Sequence, residues 1–328
     1  MKIAYTVCTL NRLGQISVLG KSLLKYNPDY TFIIGLADEL NGRIDSADYS
    51  PFVFISLSEM NDPKQKALTD QYDPFELSCA LKAYYGDFIL KKYNPGILFY
   101  FDTDICIYDS LNFLEKSLNE FSILITPHYS SPLPADGKYP RERDVLNSGL
   151  YNGGFIGLKN DDNAVEFISW WKERLSDQGY NNVCEGMMVD QLWLNLVPLF
   201  FKQVLILEHP GCNIAYWNMY ERQLVKQENN YLVNNLPLIF FHFSGYRLEN
   251  PGKISIHQNR FSLSDNSALK ELIAAYHRSL EENKFNEHLS LESVYGKKHP
   301  VKQHSFLKKK AMNFLGSFGY KLEKIRKM

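Results

Sequence analysis

Residues 97–109 read ILFYFDTDICIYD: five residues suited to a buried strand run directly into two carboxylates one residue apart. The breaker pair Pro95 and Gly96 precedes the run, so Ile97–Phe101 is expected to be a central strand covered on both faces. On an extended backbone Asp102 and Asp104 leave on the same side, because side chains alternate along a strand. Two carboxylates this close repel unless a positive charge lies between them, and a hard divalent cation, Mn2+ or Mg2+, is the simplest candidate. Such a cation usually completes its shell with substrate phosphates, which makes a nucleotide the natural partner. Two other readings compete. Asp-x-Asp at a strand end also occurs as a turn with two solvated carboxylates. A phosphatase working through an aspartyl phosphate would place the same pair after an apolar strand. That chemistry expects Thr or Val two residues further on, where Cys106 stands.

Outward from this stretch the pattern is a βαβ rhythm. Lys2–Cys8 and Tyr30–Leu36 read as strands around a helix over 14–26, whose Ile16, Leu19, Leu23 and Leu24 share a face. Residues 51–57 read as a third strand, and 76–93 as a helix leading into the Asp-x-Asp strand. Further on, 111–120 reads as helix, 121–126 as strand and 127–147, with its four prolines, as a long loop near a site. Then 151–158 is strand, 162–175 helix, 189–200 helical at its start, and 236–243 a last buried strand ending at His242. The alternation predicts an α/β protein with a mainly parallel sheet flanked by helices. In such sheets ligands bind beyond the carboxyl ends of the strands, so residues 8–11, 102–104 and 242–245 are expected to converge on one crevice.

The 328 residues are long enough for one large or two small domains. With 45% hydrophobic and 22% charged residues and no apolar run of bilayer length, the composition is that of a globular protein. The opening MKIAYTVCTL reads as the first strand and not as a signal peptide. Five scattered cysteines without metal-ligand spacing suit a reducing compartment.

LFYFDTD, YNGGFIGL, DQLWLN and FHFSG, in this order, resemble nucleotide-sugar glycosyltransferases of the GT-A fold. The likeness is strongest to the retaining group that includes glycogenin and bacterial lipooligosaccharide galactosyltransferases. It implies a Rossmann-like GT-A domain over 1–262, followed by a helical extension over 263–301. It also implies that Asp102, Asp104 and His242 bind a divalent metal that clamps the diphosphate of a nucleotide-sugar donor. Neutral imidazole suits Mn2+ better than Mg2+. Position by position, the resemblance points to Thr9 and Asn11 at the base or ribose, with Lys82, Thr103 and Gly245 also at the donor. Asn152 and Gly153 would lie at the donor sugar or acceptor, and Asp190 and Gln191 near the anomeric carbon. Relatives place a Lys three residues after the Gly of the His-x-x-Gly motif; Leu248 stands there, leaving Arg247, Lys253, His257 or Arg260 to hold the diphosphate. A sugar nucleotidyltransferase would need a Gly-rich basic loop after the first strand, which TLNRLG does not supply. A glycan-binding protein that kept the fold without turnover is the remaining alternative.

The last 27 residues, 302–328, hold eight Lys or Arg and one Glu, a charge of +7 that leaves −8 on the rest. Leu307, Ala311, Phe318, Leu322 and Ile325 recur at near-helical spacing among these cations. The segment reads as a basic amphipathic tail for peripheral contact with an anionic membrane, here the inner face of a cytoplasmic membrane. A glycan or lipid-linked acceptor follows from the family resemblance, in cell-surface polysaccharide or lipopolysaccharide synthesis. The acidic remainder argues against nucleic acid.

Overall fold

A computed structural model describes residues 1–296. The basic tail 302–328 and the end of the helical extension lie outside them. The centre is a seven-stranded sheet built from β1 (Lys2–Cys8), β2 (Tyr30–Leu36), β3 (Val53–Ile55), β4 (Ile97–Phe101), β6 (Ile123–Pro127), β7 (Tyr151–Lys159) and Val204–Ile206. Between β4 and β6 lies the short β5 (Ile105–Ile107), outside this sheet. From one edge the order is β3, β2, β1, β4, β7, β6 and the Val204–Ile206 strand. All pairings are parallel except those of β7, which runs antiparallel to both β4 and β6.

Alternation along β1 shows how the sheet divides the core. Ile3, Tyr5 and Val7 face a cluster shared with the helices Pro74–Tyr93 and Asp162–Arg174, while Ala4 and Cys8 face one shared with Leu13–Tyr26. The Pro74–Tyr93 helix starts where Asp73 accepts from the N–H groups of Phe75 and Glu76, with Pro74 at its first position. Such a cap stabilises by about 1 kcal/mol. The helix is buried over much of its circumference, so it delivers Lys82 to the sheet and not to solvent.

Three expectations need correction. The strand ends at Phe101 as expected, but the backbone is not extended beyond it: the carboxylates sit in a turn closed by the Ile105 N–H donating to the Asp102 carbonyl at 3.2 Å. Their convergence comes from this turn and not from the pleat. The stretch 236–243 is not one strand. Leu236–Pro237 pairs in a small three-stranded sheet, and only Phe240–His242 continues as a strand, antiparallel to β5 and outside the main sheet. The 127–147 loop ends in a helix, Glu142–Ser148. The Ser267–Glu282 helix buries Leu269, Leu272, Ile273 and Tyr276 in a third cluster with Ile214, Phe241 and Phe243.

Candidate metal centre and donor cleft

The register between β5 and Phe240–His242 places His242 opposite Ile105, one residue after Asp104. The Phe243 N–H donates to the Asp104 carbonyl at 2.8 Å and extends the pairing across the turn. His242 Nε2 therefore lies 3.0 Å from Asp104 Oδ1 and 4.0 Å from Asp102 Oδ2. One ligand atom from each of the three residues falls within 4.8 Å of the others. Burial lowers the proton affinity of His242, but the charge and hydrogen bond of Asp104, joined by Asp102, outweigh it and raise its pKa. Burial likewise pushes Asp104 up, and the His242 imidazole outweighs it and holds the carboxyl below its ordinary value.

Lys82 is buried, with Nζ 3.0 Å from Asp102 Oδ1 and 3.0 Å from Asp190 Oδ2. Its aligned hydrogen bond goes to the Gly153 carbonyl, also at 3.0 Å, so the two carboxylates are held by charge more than by hydrogen-bond geometry. Burial disfavours the ammonium, but Asp102 and Asp190 raise it well above its usual value. Asp190 is raised by burial and by the charge of Asp102, with Lys82 opposing. Tyr100 donates its hydroxyl to Asp102 Oδ1 at 2.5 Å and carries Lys82 over its ring face, 4.9 Å from the centroid.

The donor set suits a divalent cation on two counts. Among the groups in direct contact, three carboxylates face one ammonium, so with neutral His242 two negative charges are left over. The imidazole itself is oriented as a ligand. Asn213 donates Nδ2 to Thr126 Oγ1 at 2.7 Å and to Asn152 Oδ1 at 3.0 Å, which leaves Asn213 Oδ1 to accept from His242 Nδ1 at 3.2 Å. Nε2 then directs a lone pair at two carboxylates, an arrangement that calls for a cation or a proton between them.

A cleft of about 370 Å³ opens over this centre. It is lined by Thr9, Asn11 and Arg12 after β1, by Pro74, Phe75, Ser78 and Lys82 from the long helix, by the 102–104 turn, and by Gly245, Arg247 and His257. Thr9 donates its hydroxyl to Asn11 Oδ1 at 2.7 Å, tying the two together. The segments 8–11, 102–104 and 245 thus do converge on one crevice. Lys253 is exposed and absent from this lining. Arg260 is buried and engaged by Asp136 and the Pro140 carbonyl, so it braces the proline-rich loop. Leu248, where the family resemblance leads to the expectation of Lys, is buried in the third apolar cluster.

Asn152, Gly153, Asp190 and Gln191 lie behind the lining. Gln191 Oε1 accepts from Asn152 Nδ2 at 3.1 Å and from the Gly153 N–H at 3.0 Å, while its Nε2 donates to the Ser148 carbonyl at 2.8 Å. The paired glycines are required by contact. A Cβ on Gly153 would stand 2.6 Å from Asp190 Oδ2, and one on Gly154 would stand 2.4 Å from His242 Cε1. Val189, just before Asp190, has φ +41°, strained for a β-branched residue. Sequence reasoning missed Arg12, Tyr100, Asn213 and His128, whose Nε2 lies 3.4 Å from Asn152 Nδ2. Asn213 carried no periodic or motif signal, and its 29-residue separation from His242 hides the contact.

No family model matches the chain. The uncharacterized protein YfnF of Bacillus subtilis (strain 168) is 28% identical over 266 residues, which cover 79% of this chain and 86% of YfnF. YfnD of the same organism is 25% identical over 203 residues, covering 60% and 61% respectively. Among solved structures, the galactosyltransferase LgtC, crystallised with donor and acceptor sugar analogs, matches with a TM-score of 0.52 at 15% identity, covering 85% of this chain and 96% of that one. At that identity the likeness is one of architecture: the chain has the GT-A glycosyltransferase fold.

Proposed function

We propose that the protein is a metal-dependent glycosyltransferase that moves a sugar from a nucleotide diphosphate sugar to a hydroxyl of a glycan or lipid-linked acceptor. The observation that carries this reading is the Asp102, Asp104 and His242 set beneath a cleft on a GT-A scaffold, with both aspartates in the cleft lining. A bound Mn2+ or Mg2+ would be held by these three residues and would neutralise the diphosphate as it leaves. Thr9 and Asn11 offer short polar groups to a base edge or ribose, and Thr103 and Gly245 border the diphosphate channel. Arg247 and His257, both exposed to the cleft, take the place of the missing lysine, and Lys253 lies in the same loop.

In the reaction the bond from the anomeric carbon to the diphosphate oxygen breaks and a bond to the acceptor oxygen forms. The acceptor proton leaves to the departing diphosphate or to water. Asn152, Gly153, Asp190 and Gln191 build the sugar end, with Asp190 and Gln191 near the carbon where positive charge develops. Retention of anomeric configuration and the peripheral membrane contact of 302–328 belong to the same proposal.

The test is nucleoside diphosphate release across a panel of nucleotide sugars, with Mn2+ and with chelator, for the natural sequence and Asp104→Ala. Metal-dependent release from one donor, lost in the variant, is expected. No release, together with no thermal stabilisation by any nucleoside diphosphate in the presence of Mn2+, would sink the reading.

A further inference from the structure

Between Ile125 and Thr126 the pairing of β6 with β7 jumps. Ile125 faces Ile156, and Thr126 faces Asn152, so Gly153, Gly154 and Phe155 have no partner on β6. Asn213 bridges the two strands at this irregularity, one amide hydrogen reaching Thr126 Oγ1 and the other Asn152 Oδ1. Bulges of this kind recur where a strand must re-aim a side chain. The backbone brings Asn213 there: the His242 N–H donates to the Ile214 carbonyl at 2.9 Å, placing residue 213 beside the imidazole. Asn213 is fully buried, and its φ of +53° is a conformation that Asn tolerates better than most side chains.

With both amide hydrogens committed, the Asn213 side chain cannot flip. Its oxygen is left facing His242 Nδ1, and only an Nδ1–H satisfies both atoms. We infer that Asn213 is a positioning residue that fixes His242 in the Nδ1–H tautomer, presents Nε2 to the metal, and couples that ligand to the sugar-end strand through Asn152. The inference rests on the metal-centred reading above. It adds that the link from Gln191 through Asn152 and Asn213 to His242 is one hydrogen-bonded chain. Partners of this kind to a ligating histidine typically change metal affinity by about 10- to 100-fold.

Two variants compatible with the positive φ separate this role from a merely structural one. Asn213→Gly removes the acceptor without backbone strain. Asn213→Asp keeps an acceptor for Nδ1–H but loses the amide hydrogens to Asn152 and Thr126, so it is expected to lower the melting temperature at least as much. Mn2+ uptake by the full chain, followed by the loss of the free-ion paramagnetic resonance signal, is expected to weaken about 10- to 100-fold in Asn213→Gly and to be retained in Asn213→Asp. A purely structural residue would make affinity follow melting temperature in both, and that outcome would overturn the inference. An independent readout uses the ring nitrogens of His242 in metal-free protein labelled with 15N-histidine, at a pH above the His242 titration. A pyrrole-like Nδ1 and pyridine-like Nε2 are expected in the natural sequence, and the opposite assignment would overturn the inference. Failure of the natural sequence to take up Mn2+ would fall on the metal reading, while the nitrogen shifts would still decide the role of Asn213.

Discussion

At the scale of single residues, Lys82 decides the electrostatics behind the cleft. It is the ammonium in contact with both Asp102 and Asp190, and its removal leaves the buried Asp190 carboxylate without a cation. Lys82→Met should therefore destabilise by about 3 to 5 kcal/mol, the usual cost of orphaning a buried charge. Adding Asp190→Asn to it should recover most of that loss in urea unfolding; no recovery would mean that packing of the lysine stem matters more. A second residue-scale prediction concerns pH. Burial depresses the His128 pKa to about 4. A histidine held neutral in the folded state takes up its proton more readily when unfolded, so its stabilising contribution is present above about pH 6.5 and is lost as pH falls toward 4. Between pH 7 and pH 5 this amounts to about 2 kcal/mol of unfolding free energy, and His128→Gln should remove that part of the slope. At this scale Asp102 and Asp104 were conspicuous as charge beside a buried strand, and His242 entered as a ligand only through the family resemblance carried by FHFSG. Asn213 and His128 were not, since a neutral side chain in an irregular segment shows its worth only through its partners.

At the scale of elements, β7 is where two requirements meet. It must pair with β4 and β6 and also admit His242 and Asp190 close to its backbone, and Gly153 and Gly154 meet both demands. Gly154→Ala should push on the imidazole, costing about 1 to 3 kcal/mol of stability and weakening Mn2+ uptake. Gly153→Ala should spare the histidine and instead displace Asp190, leaving Mn2+ uptake less affected. Equal effects of the two on the metal would contradict this division. The limits of β1, β2 and β4 were readable to the residue because uninterrupted apolar runs between breakers leave few alternatives. The antiparallel sense of β7 was not, because local pattern carries no direction. Nor was the break at residues 238–239, where pairing passes from one small sheet to another.

At the scale of the whole molecule, the sequence divides its charge unevenly, +7 in residues 302–328 against −8 elsewhere. If that segment contacts anionic lipid, each cation near the surface contributes about 1 kcal/mol, and binding should fall with added salt. Removing residues 302–328 should abolish co-sedimentation with vesicles containing anionic phospholipid and leave donor hydrolysis unchanged. Persistent co-sedimentation would place the contact elsewhere. Within the described residues no helix is long and apolar enough to cross a membrane. The pairing of β5 with Phe240–His242 has a consequence in time. Its two halves lie about 135 positions apart, and the entropy of closing so long a loop must be met before the contact rewards it. A chain emerging from the ribosome therefore carries its two aspartates long before the histidine that packs against them. If the three residues hold a cation, the two carboxylates of the nascent protein must wait for their imidazole until residue 242 has been made and docked.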